Sequence, residues 1–227
     1  MRHHAVMSYL VAASAAKPAV VQGATSRTSE APQDEAGASI ALSPIFTIGH
    51  STRDYAEFEA LLREHAVQCV VDVRKLAGSR RYPQYNADTL EQALAKVHIG
   101  YVHVAALGGR RGRSLAPAEV SANGFWTNES FRRYADYALS REFAEGLEEL
   151  LALSVMQRCA VMCAEAVWWR CHRRIITDYL LLQGREVRHI MTAGRSEAAH
   201  CTPGAEEIGA ADNVAPDVLR LIYPAPA

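Results

Sequence analysis

IFTIGHSTRDYAEFEALLREHAVQCVVDVR, residues 45–74, reads as one strand–helix–strand unit. Ile45–Ile48 is a short apolar run closed by Gly49. From about Arg53 to His65, Phe58, Leu61 and Leu62 recur at helical spacing. Ser51-Thr52-Arg53-Asp54 has the pattern of a capping box at the helix start. Val67–Val73 is mostly apolar and β-branched, the composition of a strand buried on both faces. Strand–helix–strand units of this kind build parallel sheets.

The alternation continues outward. Asn86 to about Val97 carries Leu90, Ala93, Leu94 and Val97 on one helical face, and Tyr101–Val104 is a third strand. Two helices are expected at about Glu129–Ala138 and Arg141–Leu153, then a strand at Ala160–Cys163. A helix from about Cys171 to Leu182 stops at Gly184, and Val187–Met191 is the fifth strand. The expected fold is therefore α/β: a single three-layer domain over residues 44–195, its mainly parallel sheet of about five strands flanked by helices. Residues 196–227 read as a mostly irregular tail in which Val218–Ile222 could pair or pack.

Residues 17–43 are rich in Ala, Ser, Thr, Gly, Pro, Gln and acidic residues without periodicity, and with residues 1–16 they read as a disordered N-terminal extension. The apolar run Ala5–Ala16 imitates a signal peptide only weakly. Its charged region is thin, and Ser8, Tyr9 and Ser14 dilute its apolar core. No stretch approaches the ~20 apolar residues of a membrane helix, and no membrane partner is expected. The cysteines are five, an odd number with no C-x-x-C pair, so reduced thiols in a cytoplasm are expected. A net charge of −1 means that any attraction for nucleic acid must come from a local patch. Arginines far outnumber lysines, which are only Lys17, Lys75 and Lys96. GC-rich coding accounts for that, and so does a local demand for planar, bidentate donors.

In parallel sheets ligands bind outside the carboxyl ends of the strands. The chemically interesting residues fall there: His50 and Ser51 after the first strand, Asp72 and Arg74 at the end of the second, Arg110 and Arg111 after the third. Cys163 and Glu165 end the fourth, and Cys171, His172 and Arg173 open the next helix.

Five motifs occur in order: Thr-Ile-Gly-His-Ser (47–51), Val-Val-Asp-Val-Arg (70–74), Ser-Arg-Arg-Tyr-Pro (79–83), Leu-Gly-Gly-Arg (107–110) and Cys-Ala-Glu-x5-Cys-His-Arg (163–173). In this the chain resembles the domain-of-unknown-function 488 family over about residues 45–191. The resemblance implies an α/β fold and a site gathering His50, Asp72, Arg74, Cys163, Glu165, Cys171, His172 and Arg173. It implies no established reaction. Trp168 departs from the pattern, standing where Pro or a polar residue is expected.

A helix starting at Cys171 would point unpaired N–H groups at the pocket. With Arg170, Arg173 and Arg174 nearby, an anion such as phosphate is a natural guest, and the same field would favour the Cys171 thiolate. The rival reading is a buried structural Cys. Glu165 could be a general base, a clamp for a ribose or amine, or half of a structural ion pair; Cys163 could be a small core residue. His50 suits acid–base work at a sharp turn or is satisfied by a carbonyl. Asp72 and Arg74 could lock a loop or grip substrate. Val-Asp-Val-Arg resembles rhodanese-like domains, an analogy only. Zinc on Cys163, Cys171 and His172 is disfavoured, because adjacent Cys and His are awkward ligands and paired spacing is missing; no metal is expected. Neither Gly-x-Gly-x-x-Gly nor Gly-Lys-Ser/Thr occurs, and no cofactor is expected.

Three basic clusters follow strands: Arg74, Lys75, Arg80 and Arg81; Arg110, Arg111 and Arg113; Arg170, Arg173 and Arg174. Tyr82, Tyr85, Phe125 and Trp126 lie nearby and could stack on bases; Trp168 and Trp169 could form a hydrophobic lid. The leading reading is an enzyme acting on a phosphate-bearing or nucleotide-like substrate, a small molecule or a nucleic acid. Its rivals are thiol-based group transfer through Cys171 or Cys163, of the sulfurtransferase or phosphatase kind, and a non-catalytic anion- or nucleic-acid-binding module. Oligomeric state is left open. Limited proteolysis is expected to trim residues 1–43 and leave a folded core beginning near Pro44. A protease-resistant N-terminus contradicts this.

Overall fold

Strand β1 (Ile45–Gly49), helix α1 (Tyr55–Glu64) and strand β2 (Cys69–Asp72) form the unit read from residues 45–74. There follow α2 (Ala87–Ala95), β3 (Gly100–His103), α3 (Glu129–Tyr137), α4 (Arg141–Met156) and β4 (Cys159–Cys163). The chain continues through α5 (Arg173–Leu182), β5 (Val187–Thr192), β6 (Arg195–Ala198), β7 (Glu206–Ile208) and β8 (Arg220–Ile222). This computed structural model describes residues 42–112, 122–209 and 219–226. Most of the N-terminal extension, Arg113 and Val218 lie outside the described residues.

The main sheet has six strands in the order β3-β2-β4-β1-β5-β6. The first five are mutually parallel, and β6 pairs antiparallel with β5. Strands β6, β7 and β8 bring short ladders into the C-terminal segment, β7 and β8 pairing with each other. From β1 the chain steps to β2 and β3 in one direction along the sheet, then reverses through β4 to β5. Parallel crossovers are right-handed, so the reversal puts α1 and α2 on one face and α3, α4 and α5 on the other.

Alternating strand residues feed the two resulting cores. Val70, Ala160, Met162, Phe46 and Ile48 pack with Phe58, Leu61 and Leu62 of α1 and with Leu90 and Leu94 of α2. Cys69, Val71, Val161, Cys163 and Ile45 pack with Phe143, Leu147, Ile175 and Tyr179 on the opposite face. The central strands β1, β2 and β4 are buried along their whole length, as apolar strands covered on both sides must be.

The turn after β1 corrects one expectation. The cap of α1 is Asp54, whose side chain accepts the Glu57 N–H at 2.7 Å. Ser51 lies in the left-handed region at φ 50° and donates its N–H to the Ala164 carbonyl. It is consumed by the strand exit, which prolongs the β1–β4 ladder through His50 N–H to the Cys163 carbonyl at 2.9 Å. The exit is tight because the β4 loop lies against it: a Cβ on Gly49 would fall onto the Glu165 carbonyl.

Gly49→Ala is therefore expected to lower the unfolding free energy by about 3 kcal/mol in urea titration, as overpacking does. Gly112→Ala, whose added Cβ meets nothing within 4 Å, should change it by less than about 0.5 kcal/mol. Equal stability of the two variants contradicts the close approach.

Candidate functional site

The crossovers leaving β1 and β2 go to one face and the crossover leaving β4 goes to the other. The loops therefore part at the carboxyl ends of these three neighbouring strands and leave a cleft of about 880 Å³. His50, Ser51, Arg74, Cys163, Glu165, Cys171 and His172 line it, with Arg110 and Arg111. Asp72 and Arg173 lie beneath it, 0% and 1% exposed. Of the four residues that strand direction alone would bring together, His50, Arg74 and Glu165 share the cleft and Arg173 supports it from below.

On the β2 side Arg74 is held by the fold. Its Nε donates to both oxygens of Asp72 at 2.9 and 3.1 Å, and its Nη2 donates to Asp72 and to the Tyr85 carbonyl. Asp72 also accepts the Tyr101 hydroxyl at 2.7 Å. The remaining nitrogen, Nη1, faces His50 Nε2 at 3.4 Å. His50 Nδ1 lies 3.0 Å from the Ser51 carbonyl, which can only accept, so Nδ1 carries the proton and Nε2 is bare. The His50 ring stacks on Tyr85 with centroids 4.1 Å apart. Burial, opposed by the Ser51 bond and assisted by Arg74, holds its pKa down to about 4. His50 is thus a neutral ring with both nitrogens engaged.

On the β4 side the sulfurs of Cys163 and Cys171 lie 2.8 Å apart. Here the expected helix start is corrected. Cys171 is extended (φ −130°, ψ 151°) and buried, His172 is the cap, and α5 begins at Arg173. The first amide of the helix, Arg173 N–H, points at Cys171 Sγ at 3.5 Å. The anion favoured at this helix end is therefore an internal one. His172 Nε2 meets the Val73 carbonyl at 3.0 Å and so carries a proton, while Nδ1 lies 3.4 Å from Cys171 Sγ, where it can take the thiol proton and then hydrogen-bond the thiolate. The His172 ring packs on Gly109 so closely that no Cβ could fit there.

Arg173 sets the charge of this corner. Its guanidinium donates to the Glu165 and Ala166 carbonyls and to Thr47 Oγ1, and no carboxylate is among these partners. A buried cation without a counter-charge is costly. Burial works against the protonated form, yet the pKa of Arg173 is raised, through Cys163 and Cys171. Burial lifts the Cys163 thiol well above the ordinary range, and its hydrogen bond to Cys171 adds to this. Burial would also raise Cys171, but hydrogen bonding from Cys163 and the pull of His172 and Arg173 hold it well below that range. Of the two sulfurs, Cys171 is the one these shifts favour as the anion beside Arg173.

Glu165 contributes through its backbone: its N–H donates to Cys163 Sγ at 3.3 Å and its carbonyl takes Arg173, while its side chain is exposed at the cleft. Arg110 is exposed on the rim. Arg111 is tied to the Gly108 and Ala106 carbonyls and lies over the Tyr137 ring. Lys75, Arg81 and Arg170 also line the cleft. Two of the aromatics read as base-stacking groups are core residues, Tyr85 at 0% and Trp126 at 5% exposure. Trp168 stacks on His189 rather than closing over the cleft.

Thr47 and His189 escaped the sequence reading. They pair at 2.7 Å beside Arg173, and burial and Arg173 hold His189 neutral, at about 3. Thr47, the polar residue within an apolar strand, was the available signal. Cys163, Cys171 and His172 present ligand atoms within 4.8 Å of one another. Their convergence removes the objection to adjacent Cys and His. Two thiolates on a tetrahedral zinc, however, sit roughly 3.7 Å apart given Zn–S bonds of about 2.3 Å, so the sulfurs would have to separate to bind one.

Cys171→Ser leaves Arg173 uncompensated and should cost about 3 kcal/mol of stability near neutral pH. The folded pKa of Cys171 is depressed. Its contribution is therefore complete above the unfolded value of about 8.5 and is lost as pH falls through the folded value. Urea titrations of wild type and variant should converge in acid and diverge as pH rises to that plateau. A pH-independent difference contradicts the thiolate.

The family model described as "Domain of unknown function DUF488" matches residues 54–180, more than half of the chain. It takes in the second to fifth motifs, while Thr-Ile-Gly-His-Ser lies just before the matched span. No curated protein matches the chain, and no solved structure does. The chain belongs to the DUF488 family.

Proposed function

We propose that this chain is an enzyme of thiol-based group transfer, in which the Cys171 thiolate attacks an anionic small molecule held in the arginine-rimmed cleft. The observation that carries this reading is the fully buried Arg173, whose hydrogen-bond partners include no carboxylate and which lies beside two sulfurs that line that cleft. A thiolate, not a thiol, is the nucleophile, and here the fold itself favours it.

His172 takes the thiol proton at Nδ1, oriented by the Val73 carbonyl, and returns it to the leaving group. It suits acid–base work better than His50, whose Nε2 faces the Arg74 guanidinium and whose pKa is held down to about 4. Lys75, Arg81, Arg110 and Arg170 supply the positive rim that draws in phosphate or carboxylate groups. With Tyr85 and Trp126 in the core, a small anion is favoured over a nucleic acid as guest. Free thiols throughout suit a reducing compartment such as the cytoplasm. Among the described residues, no helix is long and apolar enough to cross a membrane.

Alkylation with a charged and a neutral reagent tests the proposal. At mildly acidic pH, iodoacetate should label Cys171 before Cys201, whose pKa burial and Asp178 raise to about 11. Iodoacetate should also outpace iodoacetamide by roughly tenfold, a preference that falls with added salt and with the double change Arg110→Ala and Arg170→Ala. Faster labelling of Cys201, or no preference for the anionic reagent, overturns the reading.

A further inference from the structure

We infer that Cys163 is the resolving thiol of a dithiol site, and that the substrate is an anionic compound containing a sulfur–sulfur bond. The inference rests on the proposed nucleophilic role of Cys171 and deepens it by naming the atom attacked.

The two sulfurs lie 2.8 Å apart at the end of β4 and the start of the following helix, and both line the cleft. That is inside ordinary contact for two sulfur atoms, so little movement is needed to join them. A second thiol this close to a nucleophile has no use if the intermediate is a phosphoryl or acyl group, whose electrophilic atom is phosphorus or carbon. It is useful when the electrophilic atom is Cys171 Sγ itself, and that is the case when Cys171 carries another sulfur. The protonation states suit the order of attack, with Cys171 ionised first and Cys163 kept as the thiol. The Glu165 N–H on Cys163 Sγ is placed to steady charge there when Cys163 in turn gives up its proton.

The chemistry balances with an organic disulfide, RSSR. Cys171 thiolate attacks one sulfur, forming a mixed disulfide and expelling one RS⁻. Cys163 then attacks Cys171 Sγ; the bond to the substrate sulfur breaks, the internal disulfide forms, and the second RS⁻ leaves with the Cys163 proton as RSH. The two cysteines are oxidised and the substrate disulfide is reduced. An external dithiol reductant restores the pair by the reverse exchange. Cys69 and Cys159, the other adjacent pair, face each other at the amino ends of β2 and β4, away from the cleft.

The test uses the full chain, reduced and freed of reductant, with oxidised glutathione as the anionic disulfide and cystamine as the cationic one. Intact mass, thiol counting after denaturation and peptide mapping read the product. Wild type should lose two thiols, retain no glutathione and show a Cys163–Cys171 link. Cys163→Ser, and Cys163→Ala as the second variant, should stop at a glutathionyl adduct on Cys171 that persists at least about tenfold longer. Cystamine should react roughly tenfold more slowly than oxidised glutathione. A stable adduct on wild type, a Cys69–Cys159 link, equal rates for the two disulfides, or thiols protected until a chelator is added each overturns the inference. If iodoacetate still captures Cys171 in that event, the resolving role alone falls; if it does not, the nucleophile falls with it.

Discussion

A guanidinium with no carboxylate beside it, sealed under the carboxyl end of a parallel sheet, constrains everything around it. Arg173 is 1% exposed, and its hydrogen-bonding partners are neutral. Leaving such a charge unbalanced costs several kcal/mol, so the fold must supply an anion within reach. The candidate is the Cys171 sulfur, which also receives the first amide of α5 and lies 3.4 Å from His172 Nδ1. The same arginine fixes the β4 loop by its backbone carbonyls. Charge balance and loop geometry are therefore set by one side chain.

The cleft exists because β4 is threaded between β1 and β2 while its crossover goes the other way. Each neighbour brings a different kind of group to the gap. β1 delivers His50 through an exit that tolerates only glycine at position 49, and β2 delivers Arg74, clamped by Asp72. β4 delivers the thiols. The β2 side is a closed, neutralised network. The β4 side holds the buried cation and the two sulfurs.

Much of this was legible. Strand direction and the rule that ligands gather at carboxyl ends placed His50, Arg74, Cys163 and Glu165 at one cleft without any knowledge of packing. The depth of Arg173 was not legible, because arginine is ordinarily a surface residue and a run of basic residues at 170–174 looks like a solvated face. The start of α5 was misread by two residues. No Ser, Thr, Asp or Asn stands there to mark a cap, and the boundary is set by Cys171 accepting an amide through its sulfur. Tyr85 and Trp126 lie in stretches without periodicity, so nothing local told them apart from exposed aromatics; only the closing of the two cores buries them. At the turn after β1 the Ser51–Asp54 pattern reads as a capping box, but the ladder to Ala164 takes up Ser51 and Asp54 becomes the cap.

The thiolate–arginine pair is tested most directly by the ultraviolet absorbance of the thiolate, followed against pH in native wild type and in Cys171→Ser. The difference between the two should show one thiolate forming well below the ordinary thiol range of about 8.5, and Arg173→Leu should move that titration upward. A difference curve that rises only at or above the ordinary range, or one indifferent to Arg173→Leu, would mean that Cys171 is a buried structural thiol and that the charge of Arg173 is balanced elsewhere.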